Sequence, residues 1–425
     1  MVDGCVAGAV MEIVYERVAG IDVHKRQITV AVRTPGQRGK RRTQVRRFAT
    51  FYAALREMTA WLVGEGVTHV AMESTGVYWM PVFHALAEPD ALEIVLCNAQ
   101  HVKNVPGRKT DVKDAQWLAQ LMEVGLLRGS FIPPAQIAVI RQLCRYRRTL
   151  VEERTREGQR LRKVLEDGGI KLDSVASDVL GVSSRAMIRA LIDGERDAAV
   201  LADLAQRTLR RKIPDLTLAL AGRFAEHHGV LCQLHLDHID HLDAMIARLD
   251  ARIAQATAPF ADACHRLTSI PGVGEHAARA IIGEIGVDMS RFPTAAHLAS
   301  WAGLCPGNHE SAGKHKSGKT RHGNAHLCTI LVEAAWATDH TRSRLGSRLR
   351  RLKRRMGKKS GPKAAVAVAH TILTIVWHLL AHGGTYTDLG ADYYTRREHD
   401  PEQLAATLKR KIESLGYTVE LSPAA

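Results

Sequence analysis

Apolar and polar positions change period along this chain, and the changes divide it. Two apolar, β-branched runs at 18–23 and 27–32 flank the polar turn His24-Lys25-Arg26, which predicts a hairpin. Residues 43–48 read as a third, edge-like strand carrying basic side chains. From Phe51 the spacing turns helical: Phe51, Leu55, Met58 and Leu62 share a stripe and predict a helix over 51–63. A short strand at 69–72, a helix at 77–87 and a strand at 93–97 follow. A helix over 111–127 closes the series, with Ala115, Leu118, Leu121 and Met122 on one face.

The order βββαβαβα predicts an α/β front domain of ribonuclease H-like (RuvC-like) architecture, a mixed sheet flanked by helices, over residues 15–130. Pro133-Pro134 then marks a boundary, since two prolines stop a preceding helix. Beyond it the pattern is helical and highly charged, a linker over 135–260. Ile239, Leu242, Ile246, Leu249 and Ile253 recur with the alternating three- and four-residue gaps of a coiled-coil seam. Leu143, Leu150, Leu161 and Val164 offer a looser partner stripe. An antiparallel pair within one chain and a seam between two chains fit that pattern equally. The insert at 170–230 shows helix signals without a role.

A mostly helical third region is expected over 265–385. In it Pro271-Gly272-Val273-Gly274 separates two apolar helical stretches, the pattern of a helix-hairpin-helix. Glycines there let backbone N–H groups at a helix N-terminus approach a phosphate, which singles out Gly272 and Gly274. A plain packing corner has the same pattern. The apolar stretch 364–381 is long enough to cross a bilayer, but His370, His378 and its small residues suit a buried helix, and no membrane partner is expected. The tail, 386–425, carries no chemical signal.

Composition narrows the class. Of 425 residues, 59 are Lys or Arg and 44 are Asp or Glu, a formal net charge of +15 that suits a folded protein meeting a polyanion. Seven cysteines stand with no two within four residues, which excludes CxxC zinc or redox motifs and reads as reduced thiols. The start of the chain is acidic where a secretory signal is basic. A cytoplasmic protein on nucleoid DNA is the expectation.

Four acids stand out by position. Asp22 follows the apolar run of the first strand, Glu73 ends the fourth, and Asp111 and Asp114 open the closing helix three residues apart, hence on one face. In the expected sheet the first and fourth strands are neighbours and the closing helix crosses their ends, so all four could converge. Singly, Asp111 is an ordinary helix-start acid and Asp22 an ordinary turn former. Together, converging carboxylates repel unless cations hold them, and oxygen-only ligands favour Mg²⁺ or Mn²⁺, here two ions. Such a pair clamps the attacking and leaving oxygens of a phosphoryl transfer.

A second group surrounds Ser311 in Glu310-Ser311-Ala312-Gly313-Lys314, with Lys316, Lys319, Arg321 and His322 following. A serine among glycine and cations suits a phosphate-binding loop; as a nucleophile it needs activation. The run Arg348, Arg350, Arg351, Lys353, Arg354, Arg355, Lys358 and Lys359 beside it suits a nucleic-acid backbone. His235, His238 and His241 repeat every third residue, but spacing by threes drifts around a helix, so a solvated face fits better than zinc.

At GIDVHK, MESTGVYW, NVPGRKTDVKDAQWLAQL and the block 266–330, the chain resembles the DEDD-type insertion-sequence transposases of bacteria and archaea. These are the RNA-guided bridge recombinases, and the resemblance spans most of 17–340 in order. It implies catalytic and metal-binding roles for Asp22, Glu73, Asp111 and Asp114, and a nucleophilic serine in a Gln-Ser-Gly-Gly-Lys loop that falls on Ser311. Glu310 and Ala312 depart from that loop, which makes Ser317 the fallback. The resemblance further implies cleavage and strand exchange of donor and target double-stranded DNA through a phosphoserine link. It also implies a noncoding bridge RNA, and dimers assembling to tetramers in which one subunit's front domain meets another's serine domain. A water-using RuvC-like nuclease and a nonenzymatic nucleic-acid-binding protein are the rival expectations.

Overall fold

The computed structural model describes residues 12–73, 76–97, 114–307, 309–311, 314–320, 322–357, 360–398 and 401–420. At 309–311, 314–317, 395, 397–398 and 401–404 it describes the backbone alone. The chain forms two compact units, 1–132 and 133–425.

The first unit is built on strands β1 (Val18–Val23), β2 (Gln27–Pro35), β3 (Arg41–Ala49), β4 (His69–Glu73) and β5 (Glu93–Cys97), in the sheet order β3-β2-β1-β4-β5. β2 lies antiparallel to both β1 and β3, while β4 runs parallel to β1 and β5 parallel to β4. The edge strand β3 exposes Arg42, Arg46 and Arg47, charges that discourage pairing with another chain. Helices α1 (Tyr52–Gly64) and α2 (Trp79–Ala87) cover one face of the sheet. There Leu55, Met58 and Leu62 of α1, and Val82 and Leu86 of α2, pack with Ile21, Val30, Val70 and Met72.

Helix α3 (Asp114–Glu123) covers the other face, burying Ala115, Leu118, Ala119 and Met122 against Val18, Ala31, Ala71 and Cys97. That face is paved with small residues, so α3 sits close. The expected helix to 127 stops at Glu123. Gly125 takes φ +67, its N–H donates to Met122, and Leu126 N–H reaches back to Leu121, a glycine-terminated helix end. The helix expected from Val77 starts at Trp79.

Among the described residues the second unit is helical but for one small hairpin. Its longest helices, α4 (Ala135–Asp167) and α5 (Glu226–Thr257), run antiparallel: Arg147 pairs with Asp250, Arg154 with Asp243, and Glu157 with His235. The predicted seam is thus filled within the chain. Ile239, Leu242 and Ile253 are buried in it, Ile246 and Leu249 half-buried. The insert 170–225 folds as short helices that cap this hairpin, Met187, Leu191, Leu201 and Leu216 packing on Leu161, Leu165 and Leu236.

The longer elements that follow are α6 (Ala261–Thr268), α7 (Glu275–Ile285), α8 (Ala295–Trp301), the strands β6 (His309–Ser311) and β7 (Lys314–Ser317), α9 (Ala325–Ala337), α10 (Arg344–Met356) and α11 (Gly361–His382), and then α12 (Tyr393–Glu398) and α13 (Pro401–Glu413). By length and composition α11 could cross a membrane. It packs on α8, α9 and α10, burying Ala365, Val368, Ala369, Ile372, Leu373 and Val376.

Candidate active site

Strand alternation positions the first two carboxylates. Along β1, Ala19, Ile21 and Val23 enter the core beneath α1 and α2, so Gly20 and Asp22 face α3. Along β4, Val70 and Met72 enter that same core, so Ala71 and Glu73 face α3. The parallel register pairs Ile21 with Met72. Asp22 and Glu73 are the next residues on each strand, side by side at the carboxyl ends of adjacent strands and half-buried.

α3 crosses this face at Gly20, where an added Cβ would lie 2.1 Å from the Ala115 carbonyl oxygen. Asp114 precedes Ala115 and opens the helix, and its Oδ1 is shut off from solvent. Three of the four predicted acids therefore belong to one face and one end of the sheet. Asp111 lies outside the described residues.

Two neighbours of this group were not evident in the sequence. His24 Nε2 lies 3.0 Å from Asp22 Oδ2. The i, i+2 spacing at a strand end was the available signal, because such residues share a face. Cys97, paired in register with Glu73, has its thiol pushed up to about 12 by burial, and by the Glu73 charge after that. It is a packed thiol rather than a nucleophile.

In the second unit Ser311 ends β6, in register with Lys314 of β7; Lys316 and Ser317 follow on β7, and a bulge at His309/Glu310 irregularises the pair. The hairpin is closed at its base, where Gly307 N–H donates to the Lys319 carbonyl at 2.9 Å and Pro306 bridges to Thr320. Lys319 is exposed, and Arg321 lies outside the described residues. On the far side Asn324 caps α9 through Leu327 N–H and donates to Glu284 Oε2 at 2.7 Å. Glu284, 2% exposed, also takes a two-pronged bond from Arg145 at 2.7 and 2.8 Å. Burial alone would raise its pKa, but the bonds from Arg145 and Asn324 and the charge of Arg141 bring it below the usual value. This anchor, spanning α4, α7 and the loop exit, carries no local sequence signal.

The two glycines of the 271–274 turn separate. Gly272, at φ +89, is pressed on α9, where a Cβ would stand 2.3 Å from the Ala334 carbonyl; this is the packing-corner geometry. Gly274 is exposed, opens α7, and has nothing within 4 Å of its would-be Cβ. Only Gly274 leaves room for a phosphate.

The basic run also divides. Arg350 donates to the Asp339 and Thr341 carbonyls and Lys353 to the Asp339 carboxylate, so these two fix a turn within the fold; Arg354 and Arg355 are exposed. His238 and His241 are solvated as expected, whereas His235 is half-buried with Nδ1 2.6 Å from Glu157 Oε1. Asp167, His227 and His228 bring ligand atoms within 4.8 Å of one another. His228 Nδ1, however, accepts the Ala225 N–H, which leaves Nε2 protonated toward Asp167 and unable to ligate. A cleft of about 750 Å³ between α4, α7 and α9 has arginines on its rim that acids already hold, Arg147 by Asp250 and Arg148 by Glu152 and Glu333. That leaves little charge for a polyanion.

Residues 19–168 match the family model of the DEDD-type IS110 transposases, and residues 264–350 match the one described as Transposase IS116/IS110/IS902 family. The chain belongs to the IS110 family of transposases. As such it is a DNA-processing enzyme. It is similar to the transposase for insertion sequence element IS1111A of Coxiella burnetii, 26% identical over 326 residues, 75% of this chain and 79% of the relative. It is also similar to the putative transposase y4pF/y4sB of Sinorhizobium fredii, 29% identical over 342 residues, 78% and 77% of the two chains. A shorter match, 40% identical over 78 residues, covers 18% of this chain and 24% of the pilin gene-inverting protein of Moraxella bovis. Asp22, Glu73 and Asp114 of this IS110-family transposase fall in the first matched region, and Ser311 and its lysines in the second.

Proposed function

We propose that this transposase cleaves and exchanges DNA strands with Asp22, Glu73, Asp111 and Asp114 as a divalent-metal site and Ser311 as the nucleophile. The observation that carries the reading is the placement of Asp22 and Glu73 on adjacent strand ends beneath the helix that Asp114 opens. The sheet order, with β2 antiparallel and β4 and β5 parallel to β1, supports the ribonuclease H-like reading of residues 15–130. A linker over 135–260, a serine domain over 265–385 and a tail from 386 complete the proposed division.

The donor set is oxygen-only and crowded, which suits a hard cation, Mg²⁺ or Mn²⁺, better than zinc. Bound there, such ions would supply Lewis-acid polarisation of a phosphodiester and charge neutralisation at the leaving oxygen. Ser311 Oγ attacks the phosphorus, its proton passes to solvent, and the O–P bond forms as the bond to the 3′ oxygen breaks. The 3′ oxygen takes up a proton from solvent and leaves as a 3′-hydroxyl, and the 5′ phosphate stays on the serine. A 3′-hydroxyl from another strand then attacks that phosphoserine and returns the proton to Ser311, so the exchange needs no nucleotide cofactor. Lys314, Lys316, Lys319 and Arg321 hold phosphates near the serine, and Gly274 offers the open N-terminus of α7.

Two further parts of the reading come from the resemblance. Target choice falls to a bridge RNA pairing with donor and target DNA, which leaves the protein to read backbone and shape. The acids of one subunit serve the serine of another within a dimer or tetramer. The inverting activity named for the Moraxella relative fits strand exchange better than hydrolysis.

The test combines purified protein, RNA transcribed from the flanks of the gene, Mg²⁺ and labelled donor and target duplexes. A protein–DNA adduct that survives denaturation and is lost in Ser311→Ala, yet kept in Ser317→Ala, is the expected result. Cleavage without an adduct, indifferent to Ser311→Ala, would move the protein to the hydrolytic nucleases.

A further inference from the structure

Residues 386–396 are tied to the basic helix α10 rather than trailing from α11. Tyr386 N–H donates to Ser269 Oγ at 2.8 Å. Asp388 accepts the Arg344 N–H at the start of α10, and the Ser347 hydroxyl donates to the Ala391 carbonyl at 2.5 Å. Arg344, Arg348, Arg351 and Arg355 recur with the spacing that puts them on one helix face. Along that face the Arg344 guanidinium lies 5.0 Å from the Tyr393 ring centre and Arg351 5.4 Å from that of Tyr394, while Arg348 reaches the Tyr394 hydroxyl at 3.4 Å.

Where this segment meets α10 there is a cleft of about 870 Å³. Ala391 and Tyr394 form one wall, and Ser347, Arg350, Arg351, Lys353, Arg354 and Arg355 line the rest; among the described residues no acid lines it. Arg350 and Lys353 point their charges into the fold, as described above. Arg354 and Arg355 are exposed, and among the described residues neither has an acidic partner. The Tyr394 hydroxyl records the local field: burial alone would raise its pKa, yet Arg348 and Arg344 bring it below its ordinary value.

We propose that this cleft is a binding site for a phosphodiester backbone, in which the segment after α11 supplies the second wall. Arg354 and Arg355 carry the phosphate contacts, since a guanidinium matches phosphate geometry with two parallel bonds. Tyr394 acts as a positioning residue that holds Arg348 and Arg351 in place. The choice of a nucleic-acid probe rests on the family's DNA-processing activity; the site itself is independent of Ser311 and the acid group.

The test is fluorescence anisotropy of the full chain with two probes, a DNA duplex and an RNA single strand, over a salt series. For R354Q/R355Q we expect about tenfold weaker binding at low salt. The slope of log K against log salt should fall by about 1.8 for the duplex or about 1.4 for the single strand, two contacts' worth. The probe that shows the loss identifies the source of the phosphates. Tyr394→Ala should weaken binding without removing a charge, and Arg211→Gln, an exposed cation of the insert, should leave the slope within one contact of the native chain. Thermal melting of each variant accompanies the titrations, and R354K/R355K should restore most of the slope. A double variant that melts and binds as the native chain does would overturn the cleft and leave the proposed function standing. An equal loss in Arg211→Gln would also overturn it, as a general charge effect. Native protein that binds neither probe would overturn both readings.

Discussion

Gly20 and Ala115 meet backbone to backbone, with room for no side chain between them: a Cβ on Gly20 would lie 2.1 Å from the Ala115 oxygen and 2.4 Å from the Ala119 nitrogen. That contact sets the height of α3 over the sheet, and with it the position of Asp114 relative to Asp22, two residues further along β1. Gly20→Ala must push the helix away, because both clashing atoms are backbone. The expected cost is about 1–3 kcal/mol of unfolding free energy, the range for overpacking. Strand cleavage should fall by more than the unfolded fraction explains. Urea titration beside a cleavage assay checks this, and full activity in a folded Gly20→Ala protein would separate α3 from the chemistry.

The carboxylate group predicts a metal effect that can be read without turnover. A cation that binds only the folded state raises the melting temperature in proportion to the logarithm of its concentration. Mg²⁺ should therefore stabilise the native chain, and Asp22→Asn, Glu73→Gln and Asp114→Asn should each flatten that response. Loss of a group supporting a metal ligand costs 10- to 100-fold, so loss of a ligand should lower cleavage by at least about 100-fold while duplex binding persists. Equal Mg²⁺ responses in all four proteins would refute the assignment.

Much of the first unit was legible because each face of its sheet has its own partner layer. Period-two alternation fixed which side of β1 and β4 enters the core, so Asp22 and Glu73, closing apolar runs, could be picked out from one strand each. The end of α3 was readable in principle from Gly125, but continued apolar residues at Leu126 and Leu127 disguised it. What the sequence did not carry was distant pairing. His24 on Asp22 looked like turn chemistry, and Tyr394 meets Arg348 across 46 residues in a segment of unremarked composition. Glu284 finds Arg145 across 139, and no local pattern announces such a bond.

Glu284 gives a pH prediction with a definite sign. Its folded pKa lies below the ordinary value of 4.5, so it binds fewer protons folded than unfolded near that pH. The stability it contributes is present above about pH 4.5 and is lost as pH falls through the folded value. Glu284→Gln leaves Arg145 and Arg141 facing an uncharged amide in a buried site, an effect of about 3–5 kcal/mol near neutrality. The gap between native and variant should therefore narrow in acid. Chemical denaturation at pH 7 and in steps below pH 4.5 tests this; a gap that stays constant or widens in acid would contradict the ion-pair account.

The 271–274 turn allows its packing and binding readings to be separated by substitution. Gly272→Ala places a Cβ 2.3 Å from the Ala334 oxygen on a backbone at φ +89, so it should destabilise the second unit whatever the ligand. Gly274 is different, for its φ is −82 and nothing crowds it. Aspartate there is a good N-cap and should keep or raise stability by a few tenths of a kcal/mol. The same negative charge at the start of α7 would compete with a phosphate for the helix N–H groups. If α7 receives a nucleic-acid backbone, Gly274→Asp should weaken DNA binding about two- to fivefold, the worth of one charge at a helix terminus, while the melting temperature holds. Undiminished binding in that variant would assign the whole turn to packing and place the phosphate contacts on the cations alone.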